Sequence, residues 1–114
     1  MKVIAVDDEV LALQSIVREL QKIERITEVQ GFCSSEETLM YLEANPVDVV
    51  FLDIEMEPLS GLALADKIKL NWPKVFIIFV TAYSQYAVEA FQIHAFGYLL
   101  KPVNTERIEK ELDY

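Results

Sequence analysis

The sequence has a single cysteine, Cys33, in 114 residues, so no disulfide can form within it and stability must come from a packed core. With 53% hydrophobic residues such a core is available without a structural metal, and one compact domain is expected. Cys33 lies in a strand-like stretch and reads as a small buried hydrophobe rather than a reactive thiol. No apolar run approaches the roughly 18 residues that a membrane-spanning helix needs, and no leader-like pattern opens the chain. A cytoplasmic protein that does not engage a membrane is expected. Basic residues are also scarce. Ten Lys and Arg against 19 Asp and Glu give a net charge of −9, the wrong sign for gripping a phosphate backbone, so this chain is not expected to bind nucleic acid directly. Repeats, low-complexity tracts and linkers are absent as well.

What is present is an alternation of two apolar patterns, the mark of βαβ units and a parallel sheet. Val3 to Val6 forms a short strand ending at Asp7-Asp8, and Leu13, Ile16, Val17, Leu20 and Ile23 then recur at helical spacing. Thr27 to Cys33 reads as a second strand. Ser34 with Glu37 three residues on is a capping-box start for a helix that carries Leu39 and Leu42 and stops at Asn45-Pro46. Val47 to Leu52 is apolar at nearly every position, as a strand covered on both faces must be, and it delivers Asp53. Ser60 and Gly61 open a third helix with Leu64, Ala65, Ile68 and Trp72 inward, closed by Pro73. Val75 to Val80 runs into Thr81-Ala82; Ala87, Ala90, Phe91 and His94 mark a fourth helix, with Phe91 in the core. Phe96 to Leu100 ends at Lys101-Pro102. Thr105 then caps a last helix with Ile108 and Leu112 inward. The expected fold is α/β, flavodoxin-like and doubly wound: five parallel strands in the order 2-1-3-4-5 with five helices.

In such a sheet the ligand site lies beyond the carboxyl ends of the strands. Sorted by strand end, the polar residues are Asp7 and Asp8, Asp53, Thr81 and Lys101, and right-handed crossovers bring strands one, three, four and five side by side. Three carboxylates in one cleft repel each other unless a cation sits among them. Mg²⁺ suits that role, because it takes oxygen ligands, keeps several waters and needs only one or two carboxylates. Soft metals do not, since neither Cys33 nor His94 reads onto this edge. A carboxylate can attack phosphorus, and Asp53, on the central strand with partners on either side, is the candidate nucleophile. Thr81 and Lys101 are then placed to hold equatorial phosphoryl oxygens. Taken singly these residues are bland: Asp8 alone would be a helix cap, and Lys101 or Thr81 alone ordinary surface groups. Their joint occurrence at four strand ends makes the site.

At Val6-Asp7-Asp8-Glu9, Phe51-Leu52-Asp53-Ile54-Glu55-Met56, Gly61, Thr81-Ala82 and Tyr98-Leu99-Leu100-Lys101-Pro102 the sequence resembles the receiver domains of bacterial two-component response regulators, over essentially its whole length. The resemblance implies phosphorylation of Asp53 by a histidine kinase, with Mg²⁺ ligated by Asp8, Asp53 and the main-chain carbonyl of Glu55, and Asp7 reaching the metal through water. It implies Thr81 and Tyr98 as the switch pair, and no enzymatic turnover beyond self-catalysed phosphotransfer and dephosphorylation. Glu55 and Tyr83, two positions after Asp53 and Thr81, are the places where the family tunes water access. Bulky Tyr83 there implies slow hydrolysis. One departure is that Glu57-Pro58 stands where the family has Pro directly after the Met. The run from Thr81 to Phe91 is most similar to receivers that precede LytTR-type DNA-binding domains. Residues 1-114 would thus be one receiver, cut within its last helix and without its effector, controlling transcription through the face of helix four, strand five and helix five, or forming a homodimer there. Tyr83, Tyr86, Phe91 and Tyr98 cluster on that face by sequence.

Two other chemistries fit less well. A phosphatase of the haloacid dehalogenase type needs Asp where Glu55 stands, and a flavodoxin-like cofactor binder needs a Ser/Thr/Gly-rich loop where Asp7-Asp8 would repel phosphate. A stand-alone or degenerate receiver acting as a protein-interaction module is the remaining alternative.

Overall fold

The computed structural model describes residues 1–113, leaving Tyr114 of the expected domain outside the described residues. Strand and helix alternate throughout: β1 (Lys2–Val6), α1 (Val10–Gln21), β2 (Glu28–Phe32), α2 (Ser35–Ala44), β3 (Val49–Leu52), α3 (Gly61–Asn71), β4 (Phe76–Thr81), α4 (Ala87–Gln92), β5 (Gly97–Leu100) and α5 (Thr105–Leu112). All pairings are parallel and the order is β2-β1-β3-β4-β5, as the sequence leads one to expect.

Successive side chains of a strand point to opposite faces, so β1, β3 and β4 each feed two cores. Ile4, Val6, Val50, Leu52, Ile77 and Phe79 meet Leu42, Leu64, Ala65, Ile68 and Ala90 from α2, α3 and α4. Val3, Ala5, Val49, Phe51, Ile78 and Val80 meet Leu13, Ile16 and Leu20 of α1 and Ile108 of α5. Each Val, Leu, Ile or Phe fully buried in this way contributes about 1.5–3 kcal/mol. Cys33, expected buried in the second strand, lies one residue past β2 and is only half-buried, packed against the second core.

Local signals set the helix ends. The Ser34 Oγ accepts the Glu37 N–H at 3.1 Å and its hydroxyl donates to the Glu37 carboxylate at 3.2 Å. Ser60 caps α3 by accepting the Ala63 N–H at 3.2 Å. Several expectations shift. Strands β2, β3, β4 and β5 start one or two residues later than their apolar runs, because hydrogen-bonded pairing rather than hydropathy defines a strand; Ile23 is buried but lies past the end of α1. Asn104, not Thr105, caps α5: its Oδ1 accepts the Arg107 N–H at 2.9 Å, and Thr105 is the first helical residue. Trp72 is only half-buried, at the C-cap of α3. The largest correction concerns α4. Its six residues make fewer than two turns and bury Ala90 alone, so Phe91, expected in the core, is 81% exposed, and His94 lies beyond the helix.

The opposite flank is tied down. Glu19 of α1 accepts both the backbone N–H (3.0 Å) and the hydroxyl (2.8 Å) of Thr105. Arg25 donates to the Glu109 carbonyl at 3.0 Å and pairs with Asp113 at 2.7 Å. Arg107, from α5, donates to the Leu100 and Pro102 carbonyls at the outer edge of β5.

Candidate functional site

The main-chain ladder continues one residue past the strands and lines up the polar side chains. The Asp7 N–H donates to the Phe32 carbonyl, that of Asp53 to Val6 and that of Lys101 to Thr81, at 3.1, 3.0 and 2.8 Å. Asp7, Asp53, Thr81 and Lys101 are thereby held at one rim. The Lys101 ammonium lies 2.8 Å from an Asp7 oxygen and 3.3 Å from an Asp53 oxygen, bridging the two carboxylates. Asp7 and Asp53 are 4% and 8% exposed and Thr81 is fully buried, so these charges meet in a largely dry setting where pairing counts.

Burial is the main influence on Asp53 and pushes its carboxyl above the ordinary range; Asp7 adds to this, while Lys101 and the Thr81 hydroxyl pull it back. Burial alone disfavours the Lys101 ammonium, but the hydrogen bond to Asp7 and the two negative charges outweigh it and hold its pKa above the usual value. One oxygen stands apart. The Oδ1 of Asp53 is buried and has no hydrogen-bond partner among the described residues, a state that ordinarily costs about 1–3 kcal/mol. Thr81 is near enough to favour the ionised form without hydrogen-bonding Oδ1, and its own Oγ1 accepts a long contact, 3.4 Å, from the Tyr83 N–H.

Asp8 is exposed and its Oδ2 accepts a long hydrogen bond, 3.3 Å, from the Glu57 N–H of the β3–α3 loop. It is not the cap of α1, since Glu9 occupies that place without a side-chain bond; the Glu9 N–H instead donates to Asp7. The Glu57–Pro58 and Lys101–Pro102 peptides are cis. Among the described residues no group of three or more His, Cys, Asp and Glu side chains is arranged to hold a metal ion. Where the sequence suggested a cation amid three carboxylates, the Lys101 ammonium joins two of them and Asp8 turns to the loop. The donors that remain are all oxygens, with the bare Asp53 Oδ1 among them. That set fits Mg²⁺, which keeps waters and takes one or two carboxylates, and not a metal that needs a protein cage.

Two positions gain a physical meaning that spacing alone did not give. A side chain at Gly61 would place its Cβ 1.9 Å from the Asp53 carbonyl oxygen, so only glycine allows α3 to start this close beneath the site. Tyr86, known from sequence only as one of four clustered aromatics, donates its hydroxyl to the Glu55 carboxylate. Tyr98 is half-buried with its ring 6.2 Å from that of Phe79, and its hydroxyl donates to the Tyr83 carbonyl. Tyr83 and Tyr86 meet edge to face at 6.3 Å, whereas Phe91 projects into solvent.

A parallel five-stranded sheet with an acidic residue, a hydroxyl and a lysine at its carboxyl rim is the architecture of a signalling receiver. The chain belongs to that family: residues 3–113 match the response regulator receiver domain. It is 42% identical over 108 residues to the transcriptional regulatory protein YpdB of Escherichia coli, covering 95% of this chain and 44% of YpdB. To the transcriptional regulatory protein BtsR of the same species it is 41% identical over 113 residues, covering 98% of this chain and 46% of BtsR. It therefore spans less than half the length of these relatives. Among solved structures, the response regulatory domain of MrkE from Klebsiella pneumoniae superposes with a TM-score of 0.88 at 41% identity, covering 99% of this chain and 93% of that one. The response regulator TrrA from Thermotoga maritima, crystallised with Mg²⁺ and BeF, gives 0.86 at 31% identity, covering 98% and 96%.

Proposed function

We propose that this receiver accepts a phosphoryl group on Asp53 from a histidine kinase in the cytoplasm. The observation that carries the reading is the pairing of a buried, partnerless Asp53 Oδ1 with a lysine already fixed on the other oxygen of the same carboxylate. An Asp53 oxygen attacks phosphorus as the donor's P–N bond breaks; the electron pair of that bond leaves on the imidazole, and a mixed carboxyl–phosphoryl anhydride forms. Lys101 and Thr81 receive the phosphoryl oxygens, Lys101 by giving up its contact with the Asp53 carboxylate. Asp8, Asp53 and the Glu55 carbonyl would hold Mg²⁺, with Asp7 acting through water. Bound there, the metal offsets the repulsion between carboxylate and incoming phosphate.

The added charge of about −1.5 to −2 draws Thr81 toward it. Thr81 and Tyr98 act on the same loop, through the Tyr83 N–H and the Tyr83 carbonyl respectively, so movement at the hydroxyl frees the tyrosine. The α4–β5–α5 face then changes its preferred partner, a second copy or a LytTR-type DNA-binding effector that controls transcription. Incubation with acetyl phosphate and Mg²⁺ followed by intact-mass measurement tests the chemistry. One phosphoryl group added to the wild type and none to Asp53→Asn is the expected result; equal labelling of both, or of neither, refutes it.

A further inference from the structure

The Tyr86–Glu55 hydrogen bond joins two stretches of chain that the sheet leaves separate. Glu55 stands two residues after Asp53 on the β3–α3 loop, and Tyr86 five residues after Thr81 on the β4–α4 loop. Since β3 and β4 are neighbours, the bond closes a ring running from Asp53 through Glu55 and Tyr86 back to Thr81. Three further contacts stiffen the Tyr86 half of the ring: the Tyr83 ring edge-on to Tyr86, the Tyr98 hydroxyl on the Tyr83 carbonyl, and the Tyr83 N–H on Thr81. The phenol also fixes where the Glu55 charge sits. Tied to Tyr86, the carboxylate bridges the β3–α3 and β4–α4 loops beside the Asp53 rim.

We propose that Tyr86 is a positioning residue whose hydroxyl clasps Glu55 and so holds the mouth of the Asp53 site closed to phosphoryl donors and to water. The proposal rests on the assignment of Asp53 as phosphoacceptor and deepens it: the clasp sets how fast the phosphoryl group arrives and how fast it is lost. Neither Tyr86 nor the Glu55 carboxylate touches the reacting atoms, so both act on rate through the opening of the loop pair. A clasp of one hydrogen bond makes the open form about three- to tenfold more populated when it is cut.

The test is a double-mutant cycle on the intact domain, with labelling by acetyl phosphate and subsequent decay both followed by mass. Tyr86→Phe is expected to speed labelling and decay by the same factor, about three- to tenfold, in an otherwise wild-type chain, and to have no effect in a Glu55→Ala background. An equal effect of Tyr86→Phe in both backgrounds, or none in either, overturns the clasp. Amide hydrogen exchange at residues 83–86, measured without Mg²⁺ or donor, separates this from failure of the functional reading. If the wild type takes no phosphoryl group, the Asp53 assignment falls. Faster exchange in Tyr86→Phe, absent in the Glu55→Ala background, then upholds the clasp as a loop closure, and unchanged exchange overturns it.

Discussion

The two flanks of β5 are built to opposite specifications. On one side α5 is eight residues long and is held by Ile108 in the core, by Glu19 at its N-terminus and by Arg25 at its C-terminal turn. On the other, α4 has six residues, buries only Ala90, and leaves Val88 and Phe91 67% and 81% exposed. The switch proposed for this receiver uses both kinds of region. The anchored flank adjoins the strand that places Lys101 beside Asp7 and Asp53, and the loosely held one has few buried contacts to lose, which suits the rearrangement proposed for that face.

The strongest challenge to this contrast is core truncation. Leu20→Ala or Ile108→Ala is expected to lose about 2–5 kcal/mol in urea unfolding, because each leaves a cavity that its neighbours cannot fill. Phe91→Ala should stay within about 0.5 kcal/mol of wild type. A Phe91 loss comparable to that of Ile108 would erase the distinction between the flanks. Next in size is Gly61→Ala. Its methyl must displace backbone rather than a flexible side chain, so a loss of about 1–3 kcal/mol is expected together with impaired labelling of Asp53.

The smaller effects are pH-dependent. Burial raises the Asp53 pKa in the folded state, so its ionisation works against folding, and its favourable contribution is lost as pH climbs through the folded pKa. Asp53→Asn should therefore be more stable than wild type at neutral pH, the gap closing below the unfolded value of 3.8. A chemical denaturation series from acid to neutral pH gives the sign directly. Glu19 behaves in the opposite sense. The Thr105 hydrogen bond, followed by Lys22, lowers its pKa, so its contribution is present above 4.5 and fades as pH falls through the lower folded value. The deficit of Glu19→Gln at neutral pH should shrink in acid, and a deficit independent of pH would assign Glu19 a purely steric part.

Much of this was readable from residue order. The parallel sheet follows from strand-like runs that alternate with helical spacing, and the row Asp7, Asp53, Thr81, Lys101 from the polar residues that end four of those runs, which right-handed crossovers bring side by side. Phe91 was not readable, because in a six-residue helix Ala87, Ala90 and Phe91 fit more than one inward face and only tertiary contact chooses among them. The Lys101 bridge was also hidden. Repulsion among carboxylates called for a cation, and sequence cannot distinguish a metal from an ammonium delivered from 48 residues away. The Glu19–Thr105 clasp across 86 residues and the Tyr86–Glu55 bond across 31 are of the same long-range kind.

An outermost strand offers bare carbonyls to any passing amide, and sheets from separate molecules can fuse along such a seam. The Arg107 guanidinium occupies the oxygens of Leu100 and Pro102 at the tip of β5 and withdraws that invitation. At that end of β5 a strand from another molecule therefore meets a cation rather than a free acceptor.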